Sequence, residues 1–258
     1  MAAVFFDIDG TIWDRELKIP RSTAEAMRLL HENGHLAFLC SGRSRATIYG
    51  ENLFALGMDG ILAGCGTYIE YEGKVVFNRD LPVSQLRRTV KILHSYDLPT
   101  LVEGNDILYM DEAMTKDWYG SYLKDALPDR ILPLEGNEDH WHGSKFTVLI
   151  ADLDYKPAVR ELSPEYEILQ HGEKVMELVP KGFSKATGIQ RTCELLDIPQ
   201  EETYAFGDSI NDCDMLRFAA CGIAMGNGTD AAKEAADYIT DDIHEGGICN
   251  ALKHFGLI

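Results

Sequence analysis

Short apolar runs alternate with amphipathic helical stretches along most of this 258-residue chain, and that rhythm constrains the fold more than any single residue. Strands separated by helices pair in parallel through crossover connections, which makes βαβ units on a parallel sheet. AVFFD (Ala3 to Asp7) is the first strand, HLAFLC (His35 to Cys40) the second and GILAG (Gly60 to Gly64) the third. Ser22-Thr-Ala-Glu25 has the capping-box pattern and opens a helix that Gly34 closes, and Ser44 starts another. TYIEYEGKVVF alternates around Glu72-Gly73 and predicts a β-hairpin.

From Pro82 to Pro180 the rhythm breaks. A helix near Ser84 to Ser95, short strands around Thr100 to Val102 and Ile107 to Met110, and the stronger strands KFTVLIA and KVMELVP give this stretch an α+β texture. Residues 126–143, rich in Pro, Gly and acids, read as loop. After Gly182 the alternation returns, with a helix from Ser184, the strand TYAFG, a helix after Asn211, the strand GIAM, an Ala-rich helix after Thr229, then YIT and a last helix. The expectation is a doubly wound α/β parallel sheet, Rossmann-like, built from residues 1–81 and 181–258, with residues 82–180 inserted as an α+β domain.

Composition narrows the partners. With 24 Lys plus Arg against 42 Asp plus Glu, the formal net charge is −18, so the basic surface that nucleic acid requires is lacking and anionic membranes are disfavoured. Hydrophobic residues at 45% and charged residues at 26% are ordinary for a globular chain, so the acid excess does not imply disorder. No apolar run approaches the ~20 residues that cross a bilayer, and MAAVFFDIDG lacks a basic leader region. A cytoplasmic protein is expected, its six scattered cysteines serving as core thiols.

Four segments carry chemistry. Asp7-Ile8-Asp9-Gly10-Thr11 follows the first strand, and strand alternation sends Asp7 and Asp9 to one side at the sheet end where ligands bind. Like charges so close call for a cation or a shared proton, unless the segment merely turns the chain. Gly207-Asp208-Ser209-Ile210-Asn211-Asp212 follows another strand and opens a helix, so its polar residues either serve a ligand or cap that helix; their spacing excludes a calcium loop. Ser41-Gly42-Arg43 offers a hydroxyl and a flexible backbone to an oxyanion, or makes an ordinary turn. Lys185 comes just after Ser184, the expected N-cap. A cation there opposes the helix dipole by a few tenths of a kcal/mol to ~1 kcal/mol, and a local rule broken without visible gain points to function.

In this order the four segments resemble the motifs of the haloacid dehalogenase-like (HAD) superfamily of phosphohydrolases. PKGFSK, GDSINDCDML, AMGNGTDAAKEAADYIT and the late Gly246-Gly247-Ile248 look like its Cof-type branch, which carries a large α/β cap domain between the second and third motifs. The resemblance implies a Mg²⁺-dependent phosphatase of small phosphorylated metabolites, sugar phosphates or related compounds, working as a monomer or homodimer. Asp7 would be the nucleophile that forms an aspartyl-phosphate, and Asp9 the acid and then the base. Mg²⁺ would take Asp7, the backbone carbonyl of Asp9, and Asp208. Ser41, Gly42, Lys185 and Asn211 would bind the phosphoryl group, and Asp212 would orient Lys185 or the metal's waters. The cap would close over this site and select the leaving group.

Two departures stand out: Cys65 where Cof-type proteins usually carry Asn, and Ala186 where Gly commonly follows the motif lysine. The rivals are a phosphosugar mutase like the phosphomannomutases, or a non-catalytic regulator that binds a phosphate ligand. Retention of Asp7, Asp9, Lys185 and Asp208 argues against the regulator, and a dehalogenase would lack the second acid. In the inserted stretch the turn Glu103-Gly104-Asn105-Asp106 is a candidate for substrate choice. The aromatics Trp118, Tyr119 and Tyr122 are candidates too, although aromatics at helical spacing are more often core, and His140-Trp141-His142 suggests either a second metal site or, more commonly for such a pair, plain surface.

Overall fold

The computed structural model describes residues 1–258 and falls into two compact units: Met1–Gly42, Tyr49–Asn78 and Phe183–Ile258 form one, Arg43–Ile48 and Arg79–Gly182 the other. The second unit spans the 82–180 stretch plus a few flanking residues, and it also takes residues 43–48, expected in the first. That segment is only a 3₁₀ turn over Arg45–Thr47 with no strand to join it to a sheet, and Arg130 of the second unit donates to the Ala46 carbonyl at 2.7 Å.

The chain runs through β1 (Ala3–Phe6), α1 (Arg21–Glu32), β2 (Leu36–Cys40), α2 (Glu51–Phe54), β3 (Gly60–Ala63), β4 (Tyr68–Tyr71) and β5 (Lys74–Asn78) before entering the longer part of the second unit. There it makes α3 (Val83–His94), β6 (Thr100–Glu103), β7 (Leu108–Met110), α4 (Trp118–Ala126), β8 (Ile131–Pro133), β9 (Lys145–Leu149), α5 (Lys156–Leu162), β10 (Tyr166–His171) and β11 (Val175–Pro180). It returns as α6 (Lys185–Leu196), β12 (Thr203–Gly207), α7 (Cys213–Phe218), β13 (Cys221–Ala224), α8 (Asp230–Ala235), β14 (Tyr238–Ile239) and α9 (Gly247–His254).

The first unit holds an eight-stranded sheet in the order β14-β13-β12-β1-β2-β3-β4-β5. Neighbours from β14 through β3 are parallel, and β4 and β5 add the expected antiparallel hairpin. Every residue of β1 is buried, because helices cover both faces of a parallel sheet; its strands therefore read as apolar runs rather than as alternation. Phe5 stacks on Phe38 and Phe6 on Phe206, each at 4.9 Å between ring centres. From β1 the chain proceeds outward through β2 and β3 on one side, and later through β12, β13 and β14 on the other. That reversal between β1 and β12 leaves a crevice at their carboxyl ends, where α/β sheets bind ligands. The doubly wound α/β architecture is as expected.

A six-stranded sheet, β10-β11-β9-β6-β7-β8, organises the second unit. All neighbours are antiparallel except β7 and β8. Val102, Phe146, Val148, Met176 and Leu178 pack one face against Leu86, Val90 and Leu93 of α3 and Ala158 and Leu162 of α5. Residues one step out of phase, Glu103, Lys145, Thr147 and Glu177, lie on the opposite face.

Several local expectations are overturned. Ser22-Thr-Ala-Glu25 does not cap α1: the helix begins at Arg21 behind Pro20, with no side-chain cap. Pro20 already holds φ −58° and ψ 143°, so the chain turns into the helix directly after the proline, as it does at Pro82 before α3. Residues 126–143 are not wholly loop, since Ile131–Pro133 adds a short parallel edge strand beside β7. Trp118 and Tyr122 are exposed, at 57% and 36%. The buried side of α4 is Gly120 and Leu123, and a Cβ on Gly120 would lie 2.1 Å from the Met114 carbonyl oxygen, so close packing on the small residue turns those aromatics outward. Trp141, expected at the surface, is a core residue whose Nε1 donates to the Leu134 carbonyl at 3.1 Å.

Candidate active site

β1 delivers its carboxyl end to the crevice. Asp7 extends the ladder by one bond, its N–H donating to the Phe206 carbonyl at 2.9 Å, and its side chain is buried at 4% exposure. The chain then leaves the strand at Gly10, whose φ of +85° belongs to the left-handed region. A Cβ there would sit 2.5 Å from the Asp208 carboxylate, so only glycine lets this turn lie against that acid. Thr11 Oγ1 donates to Asp208 Oδ1 at 3.3 Å. The motif read from the sequence as Asp-x-Asp-Gly-Thr thus binds to the second acidic segment through its last two residues, a role the sequence reading did not assign to Thr11.

Lys185 arrives from the other side of the first unit. Ser184 caps α6 by accepting the Thr187 N–H, in a full capping box, so the helix start is well satisfied although a lysine occupies its first position. Gly66, after β3, and Gly188, one turn into α6, approach so closely that a Cβ on Gly66 would stand 2.7 Å from the Gly188 Cα. This contact sets the helix low against the strand ends, and Lys185 is buried at 1% exposure. Its Nζ donates to Asp7 Oδ1 and to Asp212 Oδ1, each at 2.5 Å. The cation that opposes its own helix dipole is held by two carboxylates, a gain that outweighs a dipole cost of at most ~1 kcal/mol.

Asp212 resolves the choice between capping and chemistry, because it does both. Oδ2 accepts the N–H groups of Asp208 and Ser209 at 3.0 and 2.9 Å and the Ser209 hydroxyl at 3.2 Å, while Oδ1 takes Lys185. With four donors on its two oxygens, Asp212 is an anchor. Asp7 and Asp208 keep more open lone pairs.

Carboxylate oxygens of Asp7, Asp208 and Asp212 all lie within 4.8 Å of one another. Burial first, and then the Asp212 charge, hold Asp7 well above the usual carboxylate range despite the opposing pull of Lys185. Asp208 is pushed up to about 6 by burial and by Asp212. Burial would lower Lys185, but Asp212 and Asp7 outweigh it and keep the ammonium charged. One lysine among three acids leaves an excess of negative charge that a cation would relieve. The donors are all carboxylate oxygens, which suit a hard divalent ion such as Mg²⁺ and not a thiol- or imidazole-seeking metal.

The Asp9 side chain lies outside the buried cluster, exposed to solvent, and its Oδ1 accepts the Trp13 indole N–H at 3.0 Å. Ser41, buried, follows β2, the strand beside β1; its N–H donates to the Leu62 carbonyl and its carbonyl accepts from Cys65 N–H. Gly42 follows it, half-buried. Asn211 sits in the 3₁₀ turn Ile210–Asp212, its Oδ1 accepting from the Ser209 hydroxyl. Cys65 adopts φ +54°, a left-handed conformation that Asn takes more readily than other side chains, which gives the family's usual Asn a backbone role. Asn227, part of the AMGNGTD segment but given no role from the sequence, reaches back with its side chain to the Gly10 carbonyl at 2.7 Å.

Comparison with known proteins identifies the family. The family model of haloacid dehalogenase-like hydrolases matches residues 4–252. The candidate phosphatase YkrA of Bacillus subtilis (strain 168) is 32% identical over 99% of this chain and 98% of its own. From the same organism, the 5-amino-6-(5-phospho-D-ribitylamino)uracil phosphatase YitU is 26% identical over 98% and 96%. Among solved structures, the HAD subclass IIB sugar phosphatase BT4131 superposes with a TM-score of 0.84 at 31% identity, both chains being fully covered. A hypothetical protein from Geobacillus kaustophilus HTA426 reaches 0.86 at 28% identity, over 100% of this chain and 99% of that one. The chain belongs to the haloacid dehalogenase-like hydrolases and is an enzyme of their phosphatase kind.

Proposed function

We propose that this protein is a divalent-metal-dependent phosphatase of small phosphomonoesters, sugar phosphates or related metabolites, and that it works through a phosphorylated Asp7. One observation carries the reading: Asp7 ends the central strand with Oδ1 held by Lys185 at 2.5 Å, in a crevice whose acids outnumber its cations. A carboxylate fixed in place and paired on one oxygen keeps the other for attack. In-line attack of Asp7 on phosphorus breaks the bond to the leaving oxygen, which takes a proton from Asp9; Asp9 then removes a proton from the water that releases phosphate. Asp9 is suited to exchanging that proton because it stands exposed at the mouth of the motif turn while Asp7 is buried.

Asp7, Asp208 and the Asp9 carbonyl would hold Mg²⁺, which would supply positive charge against the phosphate and the nucleophile. Lys185 offsets charge on Asp7, and Asp212 keeps Lys185 and the Asp208 backbone in place. Ser41, the Gly42 backbone and Asn211 would bind phosphoryl oxygens. The substrate class draws on the relatives, which include a sugar phosphatase, YitU and a pyridoxal phosphate phosphatase of Escherichia coli. The second unit would be the cap that selects among such leaving groups. Phosphate release over a panel of sugar phosphates, pyridoxal phosphate and ribitylamino-uracil phosphate, with and without EDTA, tests the proposal. Activity that EDTA abolishes and Mg²⁺ restores supports it, whereas EDTA-resistant turnover or no turnover of any member would sink it.

A further inference from the structure

The loop between β13 and α8, residues 225–229, closes around the acids of the crevice, and no step of the chemistry above uses it. Its Asn227 is exposed and belongs to no core, yet both ends of its carboxamide are occupied by distant backbone. Nδ2 donates to the Gly10 carbonyl at 2.7 Å, and Oδ1 accepts the Ile243 N–H at 2.9 Å. Gly10 is the residue whose missing Cβ lets the turn after Asp9 rest on the Asp208 carboxylate. Two residues along the same loop, Thr229 gives its N–H to the Asp208 carbonyl at 2.7 Å and its hydroxyl at 3.3 Å. Between them Gly228 packs so tightly that a Cβ would lie 2.9 Å from that same carbonyl. Gly10, Asp208, Asn227 and Ile243 all line one cleft of about 340 Å³.

We propose that Asn227 is a positioning residue for the divalent cation, fastening the Asp7–Gly10 turn to the loop that grips Asp208 so that the two halves of the acid cluster stay in register. This rests on the metal-dependent reading given above. The requirement is for a donor and an acceptor on two separate atoms of a short side chain, which Asn meets: Asp keeps the acceptor and loses the donor, and Ala loses both. Partners that orient metal-binding groups are commonly worth about 10- to 100-fold in metal affinity. Without its hydrogen bond the Gly10 turn is free to lift from Asp208, and the cation meets a looser pair of loops.

The test is a Mn²⁺ titration of the full chain, followed by the paramagnetic resonance signal of free Mn²⁺, which needs no substrate and shares the oxygen-ligand preference of Mg²⁺. Both Asn227→Ala and Asn227→Asp are expected to weaken binding about tenfold or more, with melting temperatures in EDTA close to wild type, since the side chain is exposed. Asn227→Asp is the sharper variant: its added negative charge would by itself strengthen cation binding, so a weaker constant isolates the lost donor. A dissociation constant for Asn227→Ala within about twofold of wild type, or tighter binding by Asn227→Asp, overturns the proposal even if the variants melt earlier. Failure of the wild type to bind Mn²⁺ at all would instead overturn the metal-dependent reading on which it rests.

Discussion

Each unit of the molecule buries one lysine between two carboxylates, and the two clusters behave in opposite ways. In the first unit Lys185 pairs with Asp7 and Asp212, with Asp208 close by; there the acids Asp7 and Asp208 are held up, above their usual range. In the second, Lys145 is fully buried between Glu103 at 3.5 Å and Glu177 at 2.8 Å. Here burial is outweighed by Lys145 and by the nearby His171, and Glu177 is brought down to about 2. What separates the clusters is that Glu177 is pulled down beside its lysine, whereas burial and then the Asp212 charge push Asp7 and Asp208 up at a site that a further cation would relieve.

Removing each lysine in turn separates the two clusters most strongly. Lys185→Met is expected to lower phosphate release by about 10²- to 10³-fold, the usual loss for one electrostatic partner of a reacting group. It also leaves Asp7 and Asp212 without their counter-charge, so the metal-free protein loses stability on the order of 3–5 kcal/mol. Saturating Mg²⁺ should return part of that loss, because a cation substitutes for the missing ammonium. Lys145→Met is expected to cost a similar 3–5 kcal/mol with Mn²⁺ affinity unchanged, and Mg²⁺ should stabilise it no more than it stabilises the wild type. Denaturant melts with and without metal check both, and equal metal rescue of the two variants would erase the distinction.

Acid–base linkage gives the next effect in size. Asp208 has its pKa raised to about 6 in the folded state, so between its unfolded value near 3.9 and about 6 the folded protein binds more protons than the unfolded one. Metal-free protein should therefore gain stability as pH falls from 7 toward 4, by up to about 2 kcal/mol. Glu177 has the opposite sign: its contribution is present above its unfolded value and is lost as pH falls toward about 2. Saturating Mg²⁺ should flatten the first slope and leave the second, which melting curves over pH with Mg²⁺ or EDTA would show. The smallest effect belongs to Cys65→Asn. At φ +54° the left-handed backbone suits Asn, while burial of its amide works against it, so stability should move by less than about 1 kcal/mol and phosphate release should stay unchanged.

Much of the first unit was legible because its determinants are local. A strand buried on both faces is an apolar run, and the acids of Asp7 and Asp208 fall at the ends of such runs. Lys185 betrayed itself by opposing its own helix. Asp212 was legible only as an either-or, since the capping pattern and the ion pair use different oxygens of one side chain. In the second unit the outcome was poorer, because tertiary contacts override the local signal. Trp118 and Tyr122 have helical spacing, but the face that packs is the one with Gly120. Ile131–Pro133 is too short to show a period, and α5 and β10 passed unread among mixed residues. Asn227 was visible only as part of the AMGNGTD segment that resembles the Cof-type branch, with no role attached, because its contact lies 217 positions away.

Covalent labelling tests whether Asp7 takes the phosphoryl group. A radiolabelled phosphomonoester that the enzyme turns over, mixed with Mg²⁺ and quenched in acid within a single turnover, should leave acid-stable, alkali-labile label on the peptide that carries Asp7. The Asp7→Asn protein, folded as judged by its melting curve, should carry none and release phosphate at least about 10³-fold more slowly. An unlabelled wild type together with an Asp7→Asn variant that turns over at the wild-type rate would contradict the account.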